Sequence, residues 1–389
     1  MRTITFIIIL FFSFSNCSEK KGEKSGEAGI FGYFAYLFNS FNAKPLFKNL
    51  SENIIYTSYV DLEQKTTVLK NSIDSLQDNC SSNTGNLLTL QNQWKEVFYS
   101  LKKSEVIQFG PSSIYTSLDS WPSSYQLNPP NTTSINTFIS GTETIDETVI
   151  ATKSGNETGL PAIEFLLFDN GTGSSDAASI CLSLSGRKLS YLKEIMKLNY
   201  NRIANLLIRW NPKADNSYSL IMQTAGDASN TTYKTEKELL DLLIKQIVNL
   251  VETIKDSKLG YPTGISVDSA GVIRSTNVES RFSNLSISDI EMNLSGLQQF
   301  YTGGTGEGLS TYVSYYNPDL DKRIQGKMSE AITQTKAIIN LSSDISTGNI
   351  SNIKNLIKIL NELKILLTVE LAGVTGTNFD SGLGRGDGD

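Results

Sequence analysis

Apolar residues recur at helical spacing along most of this chain, and that period constrains the fold more than any other feature. Leu87, Leu90, Trp94, Val97, Phe98 and Leu101 fall on one helical face. Leu192, Ile195, Met196, Ile203, Leu206, Leu207 and Trp210 form a second stripe, and Leu240, Leu243, Ile244, Ile247, Val251 and Ile254 a third. A fourth runs through Ile353, Leu356, Ile357, Leu360, Leu363, Leu366 and Leu367, with Gly373 as its stop. Stripes of this period are buried by packing helix on helix. Thr235 and Glu238 form a capping-box pattern at the start of the third. Weaker patterns predict helices over 61–76 and 320–339, so the expected fold is mainly α.

Long polar stretches at 115–133, 170–179, 211–232 and 260–274 separate these elements. Loops of such length often carry binding surfaces. Brief alternation at 218–222 and 265–273 predicts a small β-hairpin. The 389 residues suffice for two domains, and the break at 211–232 is the best boundary between them. The expected organisation is 1–16 as a signal peptide, 17–29 as a tether, 30–215 as an N-terminal helical domain and 216–389 as a C-terminal one with a Gly-rich tail.

Arg2, an apolar run from Ile4 to Phe14, and then Ser15-Asn16-Cys17 read as a secretory signal too short to span a membrane. Its end is similar to a relaxed bacterial lipobox, which makes Cys17 the expected site of lipidation. The polar stretch that follows reads as a tether, giving a lipid-anchored protein at the outer membrane, on its periplasmic or its surface side. Cys80 and Cys181 remain, and an exported compartment permits a disulfide between them.

The chain has no histidine and a net charge of -6. The first fact excludes Ser-His-Asp and Cys-His catalysis and the usual zinc sites. Any metal would be held by oxygen, which favours iron(III), Ca²⁺, Mg²⁺ or Mn²⁺, and none is required by the residues. The acidic balance argues against a nucleic-acid partner.

Gly159-Leu-Pro-Ala-Ile-Glu-Phe-Leu-Leu-Phe168 stands out within this frame. It resembles the imelysin-like signature, G-x-H-x-x-E followed by an apolar run, with Pro161 in the histidine position. The resemblance continues in order through Gly110-Pro111, Leu118-Asp119-Ser120-Trp121-Pro122, Arg187 with Tyr191-Leu192, and Lys258-Leu259-Gly260-Tyr261-Pro262. Val278-Glu279-Ser280-Arg281-Phe282-Ser283, Phe300-Tyr301-Thr302-Gly303 and a Gly/Asp-rich ending complete it. It implies two helical-bundle-like domains related by an old duplication, a functional site at their interface, and a link to iron uptake. It also implies export, often as a lipoprotein. The founding member was described as a peptidase.

Glu164 follows a helix-start Gly and Pro and shares a face with Leu160, Leu167 and Phe168. A carboxylate there is either a ligand or acid/base group at the interface, or a buried structural acid with its own partner. Asp119 and Trp121 read either as an oxygen ligand beside a pocket wall or as a Trp-Pro turn capped by Asp119. Glu279, Ser280 and Arg281 read either as a second carboxylate set or as a helix-start network closed by Ser286 or Ser288. Gly159, Pro161, Glu164, Asp119, Trp121, Glu279, Ser280 and Arg281 are thus the candidate site, with Glu164, Asp119 and Glu279 as candidate metal ligands lining one pocket. The expected function is that of a non-catalytic imelysin-like outer-membrane lipoprotein. It would bind a ligand, or a partner among iron- or haem-uptake proteins, at the interdomain cleft. The alternatives are a metal-dependent peptidase with an oxygen-ligand site and a surface protein that binds host components. The tripeptide Arg385-Gly386-Asp387 is explained by the family's Gly/Asp-rich ending.

Overall fold

A computed structural model describes residues 41–377 and 379. The expected signal peptide, the expected lipidation site Cys17, the expected tether and the Arg385–Asp387 tail lie outside the described residues. Helices α1 (Thr57–Ser75), α2 (Thr84–Lys103), α3 (Leu160–Phe168) and α4 (Gly186–Trp210) make up the first half. Helices α5 (Glu236–Glu252), α6 (Ser286–Thr302), α7 (Pro318–Thr335) and α8 (Ser351–Ile365) make up the second. The predicted stripes are the buried faces of α2, α4, α5 and α8, and the weaker patterns correspond to α1 and α7. In the first half α4 packs on α1 and α1 on α2. In the second, α6 packs on α7 and α7 on α8. From Ala43 onward the helices form one compact unit. The expected boundary at 215/216 falls just before a short helix, Tyr218–Gln223, within it.

The described residues contain no strand, so the predicted hairpin is absent. At 218–222 the alternation belongs to the helix Tyr218–Gln223, capped by the Ser217 side chain on Leu220 N. Six residues cannot display a helical period distinguishable from alternation. The 265–273 segment is a turn-rich loop in which Ala270 and Gly271 take positive φ. The expected stop at Gly373 is also displaced. Helix α8 runs on through a wide π-helical stretch, Leu366–Leu371, into Ala372–Thr375, and ends at Gly376 with φ 66°. No described helix is long and apolar enough to cross a membrane.

The two halves meet where α6 crosses α2. Gly296 makes that crossing close: a Cβ there would lie 2.0 Å from the Lys103 carbonyl oxygen. One turn earlier on α6, Asn293 reaches the carbonyl of Lys102 at the end of α2. A similar approach sets the signature helix. A Cβ on Gly159 would lie 2.7 Å from the Leu118 carbonyl oxygen, so only glycine lets α3 start against the segment that carries Asp119. Trp94 Nε1 and Asn199 Nδ2 hold the same helix start through the carbonyls of Leu160 and Thr158. All three tryptophans, Trp94, Trp121 and Trp210, are fully buried. Cys80 and Cys181 are joined by a disulfide that ties the loop before α2 to the helix Ala177–Ser183.

Candidate functional site

A closed network of buried charge sits at the crossing of α2 and α6. Lys102, in the last turn of α2, continues the apolar stripe one turn beyond Phe98, whose ring faces its ammonium at 4.7 Å. With 0% of its surface exposed, it cannot reach water. Its Nζ donates to Asp119, Glu279 and Glu105, the last at 3.2 Å. A second ammonium comes from Lys258, on the π-helical extension Thr253–Gly260 of α5. Lys258 is buried within that wider turn. Lys258 Nζ donates to Glu105 Oε2 at 2.8 Å and to Asn293 Oδ1 at 2.6 Å. It also lies 2.9 Å from Glu279 Oε2, close enough for an ion pair but off the angle of a hydrogen bond. Asn293 Nδ2 and Tyr115 OH complete the shell of Glu105 Oε2.

Asp289 lies beside this set, with Oδ2 accepting from Ser280 and Oδ1 without a partner among the described residues. Two ammoniums thus face four carboxylates, and the excess of acid is met in part by raised proton affinity. Burial, with Glu279 adding to it, raises Asp289 well above the usual carboxylate range. Burial also raises Asp119 to about 6, against the pull of Lys102. Glu105 moves the other way. Burial would raise it, but Lys102, Lys258 and the bonds from Lys258 and Asn293 bring it to about 2. Burial would likewise depress the Lys102 ammonium, but Asp119, Glu105 and Glu279 together hold it well above its ordinary value.

Of the residues expected from sequence, Asp119 and Glu279 come together on Lys102. Asp119 also accepts from Trp121 N at 3.1 Å, so it caps the Trp-Pro turn and joins the network at once. Trp121 packs with Tyr125 and Tyr261. Glu164 does not join the other two. Its Oε1 accepts from Phe282 N at 3.1 Å, Ser283 N at 2.8 Å and Ser283 Oγ at 2.7 Å. It therefore fixes the segment just after Glu279, across the seam between the halves. Pro161 is fully buried within the first turn of α3 and offers no ligand atom. Ser280, at φ 49°, anchors its turn through Asp289, while Ser286 Oγ bonds the Glu279 carbonyl instead of capping α6. Arg281 reaches the carbonyls of Asn128, Pro129 and Pro130 in the first half.

Glu105, not Glu164, completes the carboxylate trio, with ligand oxygens of Glu105, Asp119 and Glu279 within 4.8 Å of one another. These residues do not fit a metal. The chain has no imidazole, and an ammonium already bonds all three carboxylates in a site where each is at most 2% exposed. A cation placed there would have to displace Lys102 into an apolar wall.

Sequence reasoning missed Lys102, Glu105, Lys258, Asp289 and Asn293. Lys102 carried one signal, its place four residues after Phe98 on a buried face. The others need tertiary structure to be found.

Glu164 predicts a pH dependence. Burial raises it from 4.5 to about 7, against the bonds from Ser283, the Arg281 charge and Phe282 N. A folded pKa above the unfolded one gives stability that is complete below the unfolded value and is lost as pH rises through the folded one, here about 3 kcal/mol at most. Asp119 and Asp289 act in the same direction. Glu164→Gln keeps an oxygen for Phe282 and Ser283 and removes the charge. Urea unfolding at about pH 5 and about pH 8 should show a smaller loss of stability for the variant than for wild type. Equal losses would mean that Glu164 is not the titrating group.

The comparisons agree with this architecture. An iron-regulated protein A precursor from Parabacteroides distasonis shares the fold at a TM-score of 0.65 and 19% identity, over 93% of this chain and 98% of that one. An imelysin-like protein from Psychrobacter arcticus does so at 0.59 and 15%, over 87% and 99%. No curated protein matches the sequence. The Imelysin (peptidase M75) family profile matches residues 55–364, and on that extent this chain belongs to the imelysin family.

Proposed function

We propose that this chain is a non-catalytic imelysin-family protein of iron or haem acquisition, held at the outer membrane by a lipid on Cys17. It acts by binding a ligand or a partner of the uptake apparatus. The iron link draws on the family and on the fold shared with the iron-regulated protein A precursor. The observation that carries the non-catalytic reading is the ammonium of Lys102 among Glu105, Asp119 and Glu279. A hydrolytic metal needs an open position for water. Here the carboxylates are spent on lysine, and Glu164 is spent on the backbone of Phe282 and Ser283. The seam therefore sets how the two halves are oriented, and binding falls to surfaces that the halves present.

Two measurements test this. Purified protein incubated with unfolded substrates, with and without chelator, should cleave nothing. Chelator-sensitive cleavage lost in Glu164→Ala would overturn the non-catalytic reading. Deleting the gene should slow growth when haem or ferric iron is the limiting source, and the wild-type gene should restore it. Unchanged growth on both sources would remove the iron role.

A further inference from the structure

A cleft of about 720 Å³ opens in the first half, between the helix Thr132–Ser140, the loop 169–174 and the start of α4. Its polar lining includes Asn136, Asn170, Thr172 and Ser183, and its charges are Arg187 and Lys188, with no carboxylate in the wall. The volume is that of a small-molecule site.

The cleft is built rather than incidental. Asp169 Oδ1 accepts from Gly171 N and Gly173 N, while Asn170 Oδ1 accepts from Thr172 N and Ser174 N. Asn136 Nδ2 then pins the loop through the Gly171 carbonyl at 3.1 Å. Arg187 uses Nε and Nη2 on the carbonyls of Ile139, Phe138 and Glu143. Lys188 is only 8% exposed, yet its ammonium has neutral partners alone: Ser183 Oγ at 2.8 Å and the Asp169 carbonyl at 3.4 Å. Burial depresses it to about 8, with the Asp169 charge opposing. An almost buried ammonium without a bonded carboxylate, facing a cleft, is incompletely compensated, and an anion from solution would complete it.

We propose that this cleft binds a small polyhydroxylated monocarboxylate, its carboxylate on Lys188 and its hydroxyls on Asn136 Oδ1 and Thr172 Oγ1, which have acceptor capacity left. Arg187 is engaged by backbone carbonyls, so Lys188 is the lining cation left to meet a ligand's charge, which suits one carboxylate better than a phosphate dianion. The hydroxyl and amide lining is suited to a polyol chain.

Titration calorimetry of the full chain with sodium gluconate tests this, with sorbitol as the neutral analogue and sodium phosphate as the competing anion. Gluconate should bind, with sorbitol at least about tenfold weaker. Lys188→Met should lose at least about tenfold in affinity, because it keeps the stem and removes the charge. Thr137→Trp, at an exposed position on the cleft wall, should abolish binding without touching the core, and its melting temperature reports that the fold is intact. No gluconate binding at about 10 mM, equal binding of sorbitol, tighter binding of phosphate, or binding unaffected by both substitutions would each overturn the proposal.

Discussion

Replacing Lys102 with methionine is expected to cost about 3–5 kcal/mol of folding stability, the largest effect of any single side chain in the seam. Methionine matches the length of the lysine stem and packs as well against Phe98. What it removes is the charge that Asp119, Glu279 and Glu105 share. Those carboxylates cannot reach water, so they must take up protons or repel one another in a low-dielectric interior. Urea unfolding near pH 7 would show the loss as a lower midpoint with an unchanged slope. The penalty should shrink at about pH 4, where protons can replace the ammonium, and this distinguishes lost charge from lost packing. A midpoint within error of wild type at neutral pH would mean that Lys102 is not the countercharge of the seam.

The second large effect belongs to the disulfide. Cys80 and Cys181 are 101 residues apart, and a link of that span restricts the unfolded chain by about 4–5 kcal/mol in the loop-closure account. Removing both sulfurs with Cys80→Ala and Cys181→Ala should lower the stability by an amount of that order. The loop it closes contains α2, Asp119 and Glu164, so the first half should loosen before the second. Hydrogen exchange would show this as earlier loss of protection in α2 and α3 than in α7 and α8. Equal loss of protection in both halves, or a stability change below about 1 kcal/mol, would refute the account.

The helices were legible because each long stripe repeats the same period over several turns. Thr235 and Glu238 marked the start of α5 for the same local reason, since a capping box lies within four residues. Six residues at 218–222 and its neighbour were too few to tell a helix from a strand. Glu164 was recognisable as an acid on an apolar face, and Asp119 and Glu279 by the segments that resemble the imelysin family. Their partners were not. A lysine at the end of a helix reads as a solvated cation complementing the helix dipole, and that is what Lys102 looks like in one dimension. Lys258 stood in a segment that resembles the family, but its π-helical setting and its place in the seam have no one-dimensional marker. Glu164 looked like the companion of Asp119 and Glu279, yet its oxygen is taken by Phe282 and Ser283, and Glu105 stands in the place expected for it.

By itself the sequence determined the mainly α fold, the family, and the lack of any imidazole for a metal or a proton relay. The fold class and the missing imidazole are properties of periodicity and composition, which short-range physics reads directly, while the family rested on the resemblance of ordered motifs. Only the tertiary structure decided that Lys102 would fill the carboxylate trio. That outcome depends on α6 approaching α2 closely enough at Gly296 for side chains 153 to 177 residues apart to share one dry site. Burial then decides the chemistry, because carboxylates that would bind a cation from solution are instead neutralised by the chain itself.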